Sequence, residues 1–496
     1  MLGFFTHKPS HPLTDPREAK RVLAEIAGRD PQGAIEEAIG WIESVGADDS
    51  LKPAQRLDLL LKLDEATVSQ IRRLARDYPA RSAAGRAQEV KFWELGHGYC
   101  GALVAAYLVC LRGYQSGEKD ADAIKPQLQL LYGRLGGVMG ANLKWDQFRY
   151  GPIDLDFWAT LGGIYLAAVE ARLAQKPLLP YPNQPETTIE AEYIKTLVFQ
   201  ASSMDKLTPL QIELGEHLIA YFLPFFALVR EVRPENVYWV DAAKPLPPTR
   251  LAKVPEITPT LRFFGCTRAV EAVGRTIEQL TKEGRVPPGI NLGAQYDVAA
   301  VIPVLRHFEM CWAKNPPIRS TARRRVNSEL KVVNGLAGIH RHLAGHANGA
   351  DVIETWLVED VSLGGMGAQS AVARKDWIRI KALIAVQPQG GDNWLLGVVR
   401  RYARKEPTRG SVGIETLSRT PRAVLADSGG ILTEALLIDV PEVGEYARMA
   451  LPPNTVEENV ALLFSDDGKN ARLHPRETLM SDPDYVIVNF FVQSYS

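Results

Sequence analysis

Residues 318–333 read IRSTARRRVNSELKVV and hold the point at which the chain changes character. Four arginines, Arg319, Arg323, Arg324 and Arg325, fall within seven residues, and the stretch from Ser328 to Val333 behind them has the length and composition of a strand. Just ahead of them stand Asn315, Pro316 and Pro317, which stop a helical run because proline lacks an amide donor and clashes with the preceding turn. Beyond them, Ile353 to Val358, Trp377 to Val386, Trp394 to Arg401 and Val412 to Leu417 are strand-length runs parted by Gly, Asn, Asp or Pro. The pattern predicts a compact antiparallel β module.

Upstream the pattern is helical. From Pro16 to about Arg230 apolar residues recur at three- and four-residue steps, as in Leu57, Leu60, Leu61, Val68, Ile71 and Leu74. Thr187 with Glu190 and Thr208 with Gln211 fit capping boxes, and Pro209 suits a first helical position. No fixed repeat period emerges, so the expectation is an all-helical bundle or irregular solenoid of antiparallel helices. A proline-rich stretch follows, with a strand-like run from Val237 to Val240 and two helices at about Thr267 to Lys282 and Val298 to Lys314. The predicted multidomain α + β organisation is a helical domain at 1–233, a connector at 234–317, a β module at 318–426 and a second small β module at 427–496.

Charge divides the two β modules. Residues 318–426 carry 17 Lys or Arg against 9 Asp or Glu, whereas residues 427–496 carry 4 against 12. The formal net charge of −1 over 496 residues therefore hides a basic module beside an acidic one, and an anionic ligand belongs on the first. Opposite charge also suits docking of the two modules. With 46% hydrophobic and 23% charged residues, extended disorder is excluded, and no global basic field exists to hold nucleic acid.

Other signals are weaker. The opening MLGFFTHKPSHPLTDP lacks the pattern of a secretory signal, and the most apolar runs, Tyr99 to Leu111 and Leu218 to Val229, are shorter than the ~20 residues of a membrane span. A cytoplasmic location without stable membrane insertion is expected. Cys100, Cys110, Cys266 and Cys311 form no CxxC pair and read as small buried hydrophobes. His340, His342 and His346 lack converging partners, so no metal is expected. Gly390-Gly391-Asp392-Asn393 reads as a turn and Gly136, Gly137 and Gly140 as close helix packing. No nucleophile elbow, HExxH helix or P-loop occurs, and neither catalysis nor a cofactor is expected.

Guanidinium groups are planar forks that match phosphate and the O6/N7 edge of guanine. In Glu359 to Gly367, EDVSLGGMG, Asp360 and Ser362 lie two apart, on one face of an extended segment, and the glycines let a ligand approach the backbone. A carboxylate suits guanine's N1 and N2 donors. Arg319-xxx-Arg323 followed by Asp360-x-Ser362-x-x-Gly365 resembles the PilZ domain, the bacterial receptor module for cyclic di-GMP. The resemblance covers roughly residues 318–426. It implies a six-stranded antiparallel barrel whose arginine loop wraps the ligand. Arg319 and Arg323 would contact guanine and phosphates, with Arg324 as a secondary arginine. Asp360 and Ser362 would contact a guanine, and Gly364 and Gly365 would leave clearance. Ile318, in place of a basic residue, leans toward one bound ligand rather than an intercalated pair.

The implied function is a non-catalytic cyclic di-GMP effector that couples binding at the barrel to domain rearrangement, or to an unidentified protein partner, through the helical region. The runner-up is a helical scaffold or adaptor whose PilZ module is structural and binds no nucleotide; an enzyme with unrecognised chemistry in the helices ranks third.

Overall fold

The computed structural model describes residues 11–84, 86–290, 292, 296–316, 322–346, 352–371, 377–457, 460–466 and 469–495. It divides into two units, one of residues 1–149 and 153–317, the other of residues 150–152 and 318–496.

The first unit holds α1 (Pro16–Gly28), α2 (Pro31–Ala47), α3 (Pro53–Ala84), α4 (Arg86–Gln115), α5 (Leu128–Phe148), α6 (Leu155–Glu170), α7 (Ile189–Ala201) and α8 (Pro209–Phe222). Their starts are written in the sequence. Asp15, Asp30 and Thr208 each cap a helix whose first residue is proline, the side-chain oxygen accepting an early amide while proline supplies the preset φ. The Thr208–Gln211 capping box forms as expected. At α7 the cap is Thr188, one residue later than the sequence suggested, and the Thr187 hydroxyl instead donates to Glu192. Thr187 is held in extended pairing with Leu178, which moves the turn onward.

Gly140 of α5 faces α7 so closely that a Cβ would lie 2.8 Å from the Thr196 hydroxyl, and at Gly96 of α4 it would overlap the Trp145 ring. α4 is the one described helix long and apolar enough to cross a membrane, and half of that stretch is buried inside the unit. The helix extends well beyond the apolar run at Tyr99 to Leu111.

The proline-rich stretch packs within this unit rather than standing apart as a connector. Strands β1 (Leu228–Val229), β2 (Asn236–Asp241), β3 (Thr249–Arg250) and β4 (Leu261–Gly265) form one sheet in the order β1-β4-β2-β3. Phe263 and Phe264 are fully buried, so the sheet has a core to join. Helices α9 (Thr267–Glu283) and α10 (Val298–Trp312) follow. Arg250 ties down the end of α10, donating to the carbonyls of Cys311, Ala313 and Lys314.

The second unit contains two closed antiparallel barrels of six strands each. The first is formed by β5 (Arg324–Asn334), β6 (Glu354–Ser362), β7 (Gly365–Ala371), β8 (Leu383–Pro388), β9 (Leu395–Glu406) and β10 (Arg409–Ser418), in the order β10-β7-β6-β5-β8-β9. Trp356, Ala368, Ile384, Val398 and Val412 fill its interior. A short helix, α11 (Leu336–Leu343), absent from the all-β expectation, follows β5 and buries Leu336 and Ile339. It carries His340 and His342; His340 Nε2 lies 3.1 Å from the Val424 carbonyl and His342 rests edge-on to Trp394, which is packing. The turn at residues 389–390 uses Gly390 at φ +77°.

The second barrel is formed by β11 (Arg422–Ser428), β12 (Ile431–Leu437), β13 (Tyr446–Leu451), β14 (Leu462–Asp466), β15 (Lys469–Asp482) and β16 (Tyr485–Ser494). β11 thus begins ahead of the boundary at 426 drawn from the sequence. One apolar cluster runs through both barrels, joining Val333, Leu383 and Leu396 to Leu436, Tyr485 and Ile487. Charge adds a second tie: Arg379 of the basic module donates to Asp482 at 2.7 Å and Asp484 at 2.6 Å of the acidic one. Tyr150 belongs to this unit too, its carbonyl accepting from the Arg404 amide at 2.7 Å.

Candidate functional site

The notable chemistry gathers on the outer face of the first barrel, where β5, β6 and β7 run side by side. Register places Arg325 opposite Asp360, and Asp360 opposite Gly367. The pairing slips between Val358 and Asp360, and again between Arg325 and Ser328. Such bulges re-aim side chains locally. Here Val358 points into the core while Asp360, two residues on, faces outward and half-buried.

Arg323, immediately ahead of β5, reaches this carboxylate: Nη1 lies 2.6 Å from Asp360 Oδ1. The side chains remain 34% and 28% exposed, so the pair is of the partly solvated kind that contributes about 0–1 kcal/mol. It can be exchanged for other partners at small cost. Arg324 opens β5 opposite Val361 and is exposed. Arg319 and Ile318 lie outside the described residues.

Ser362 ends β6, and its hydroxyl donates to the Gly365 carbonyl at 3.0 Å, closing the turn between β6 and β7. The turn is fastened from outside as well. The Thr416 amide donates to the Gly364 carbonyl at 3.0 Å, and Arg419 Nη2 to the Leu363 carbonyl at 3.0 Å. Leu363 at its apex is 70% exposed.

The glycines divide their work differently from the expectation. At Gly365 a Cβ would sit 2.1 Å from the Ile414 carbonyl, so that position is reserved for the close approach of β10. Gly364 faces open space. The clearance beside the carboxylate is instead at Gly367, where a Cβ would fall 2.9 Å from Asp360 Oδ1 and 3.3 Å from Arg323 Nη1. Sequence reading missed Gly367. Its signal was strand alternation, which puts residue 367 on the same face as 365.

The first unit contains a cavity of about 1120 Å³ lined by α3, α5, α7 and α8. Its buried charges are ion-paired, although Glu213 Oε2 accepts no hydrogen bond. Lys144 Nζ lies 2.9 Å from Glu213 and 2.5 Å from Glu216, and Arg134 lies 3.5 Å from Asp64. Burial alone would raise Glu216, yet Lys144, Lys195 and His217 hold it well below the usual carboxylate range. Asp64 moves the other way: burial raises it despite Arg134 and three tyrosine hydroxyls. Among the described residues no group of three or more His, Cys, Asp or Glu is arranged to hold a metal ion.

Comparison with known proteins bears on this unit alone. Residues 17–232 match the family model described as the N-terminal domain of the cyclic-di-GMP receptor FimW. The match runs from the first turn of α1 to beyond α8 and ends ahead of both barrels. The curated proteins contain no match to the chain.

Proposed function

We propose that the protein is a cyclic di-GMP receptor of the PilZ type that binds its ligand on the outer face of the first barrel. The observation that carries the reading is the convergence of Arg323 on Asp360 over the bare backbone of Gly367. A bis-guanine, twice-phosphorylated ring needs both kinds of group: forks for phosphate and the guanine O6/N7 edge, and a carboxylate for guanine N1 and N2. In the ligand-free protein these groups neutralise each other. Binding exchanges the Arg323–Asp360 contact for two stronger, charge-assisted sets of hydrogen bonds, with Arg319, Arg324 and Ser362 completing the site.

Two lines meet in this reading. One is the arginine and Asp-x-Ser arrangement on the barrel, and the other is the FimW-like helical region, since the matched family is named for a cyclic-di-GMP receptor. The role is binding rather than catalysis. The signal passes to the helical region, or to a protein that docks there, through the segment between α10 and β5. Arg250 holds the carbonyls at the end of α10, giving that segment a stiff start.

Thermal unfolding tests the reading. A ligand that binds only the folded chain stabilises it by RT ln(1 + [L]/Kd), about 2.7 kcal/mol at 100 Kd. Cyclic di-GMP should raise the melting temperature of the full chain in a concentration-dependent way, and adenosine, which lacks the guanine N1–H and N2–H donors, should leave it unchanged. No shift at millimolar cyclic di-GMP favours the structural, non-binding barrel.

A further inference from the structure

The row that contains Asp360 does not stop at Gly367. Gly367 pairs with Gly413 of β10, and Gly413 pairs with Arg401 of β9. Two contacts show that these residues share the outer face. A Cβ at Gly367 would meet Asp360 and Arg323, and one at Gly413 would lie 3.1 Å from Arg401 Cβ. Their strand neighbours Met366, Ala368, Val412 and Ile414 are buried in the barrel, while Gly367 is buried from the other side by Asp360 and Arg323 and Gly413 is half-buried.

Neither glycine is demanded by the backbone, since neither has positive φ. Side by side in the middle of adjacent strands they cost stability, and glycine in that setting marks a place where something approaches the backbone closely. Asp360 and Arg401 stand at the two ends of this floor, three interstrand steps apart, or about 14 Å along the curved sheet at roughly 4.8 Å per step. A third bulge serves the far end. Register slips between Gly413 and Ile414, so that Arg400 and Arg401 are both exposed. Arg400 is bound to Glu415. Arg401, which likewise has a partner within the protein, is the cation in register with Gly413.

We infer that Arg401 is a further ligand-binding residue, which takes the part of the cyclic dinucleotide farthest from Asp360. This rests on the cyclic di-GMP reading above. The ligand lies across β7 and β10 on Gly367 and Gly413, one guanine held by Asp360 and Arg323, and the distal phosphate or guanine meets the Arg401 fork. Recognition of the whole dinucleotide, as opposed to one guanine nucleotide, then depends on the β9 end of the row.

The test titrates the full-length wild type, Arg401→Ala, Gly413→Val and Arg323→Ala with cyclic di-GMP and with guanosine monophosphate, with circular dichroism as a check on folding. Loss of charge-assisted hydrogen bonds at Arg401 should weaken cyclic di-GMP by about 10- to 100-fold. Gly413→Val, which fills the floor, should weaken it at least as much. Guanosine monophosphate, which reaches only the Asp360 end, should bind wild type and Arg401→Ala alike and lose affinity in Arg323→Ala. Wild-type affinity for cyclic di-GMP in Arg401→Ala and Gly413→Val, with loss in Arg323→Ala, overturns the role of Arg401 and leaves the receptor reading standing. No binding to wild type overturns the receptor reading itself.

Discussion

Nη1 of Arg323 lies 2.6 Å from Oδ1 of Asp360, and the pair closes over Gly367, where a Cβ would come within 2.9 Å of the carboxylate. Under the proposed function, the fork assigned to phosphate and the carboxylate assigned to guanine are each other's partners until ligand parts them. A cation and an anion held in one solvent-facing contact contribute about 1 kcal/mol at most. The ligand need displace only that.

Selectivity follows from the carboxylate. Only guanine presents N1–H and N2–H to an acceptor, so Asp360→Asn should lower affinity for cyclic di-GMP by about 10-fold or more while changing that for cyclic di-AMP little. Equal affinity of the wild type for the two nucleotides contradicts the role given to Asp360.

Transmission is testable by hydrogen exchange. Ligand should add protection across residues 315–326 and also within α10, whose end Arg250 holds through three backbone carbonyls. In Arg250→Ala the protection at the barrel should persist while that in α10 fades. Protection confined to the barrel in the wild type would point to a newly formed partner surface instead.

The helical unit depends on a buried charge cluster. Lys144, Glu213 and Glu216 are held within 2.5 and 2.9 Å contacts, and removing one partner leaves a charge in an apolar setting. Lys144→Met should lower the unfolding free energy by about 3–5 kcal/mol, read from urea denaturation monitored by helical circular dichroism.

Acid should loosen the second barrel. Asp439 accepts from the Arg448 amide, Nε and Nη2, and those bonds hold its carboxyl below the usual range. A carboxyl whose pKa is lower in the folded state stabilises the fold above its unfolded pKa of about 3.9, and that stabilisation is lost as pH falls through the lowered value. Between about pH 4 and pH 2 the wild type should lose more stability than Asp439→Asn, as followed by acid titration of near-ultraviolet circular dichroism.

The architecture was largely legible in the sequence because each half repeats one period. Leu57, Leu60 and Leu74 on α3 recur at helical spacing and are buried, while Val412 and Ile414 on β10 alternate with outward residues. The α11 helix was hidden because HRHLAGH offered histidines rather than an evident apolar stripe, although Leu336 and Ile339 supply one. Of the proposed site, Arg323, Asp360 and Ser362 could be singled out from two short motifs, and the structure brings Arg323 and Asp360 together across 37 residues of sequence. Gly367, Gly413 and Arg401 could not, since cross-strand register joins residues distant in sequence and bulges shift it by one. The division of the β region was misplaced near 426 because charge changes sign after β11 has begun.

The central claim, that this barrel face binds cyclic di-GMP through Arg323 and Asp360, is met most directly by calorimetric titration of the full chain and its Arg323→Ala variant. The account predicts saturable binding to the wild type and affinity lower by about 10- to 100-fold in the variant, as expected for loss of hydrogen bonds from a charged fork. Equal affinity in the two proteins, or no heat of binding to the wild type with folding intact, would contradict it.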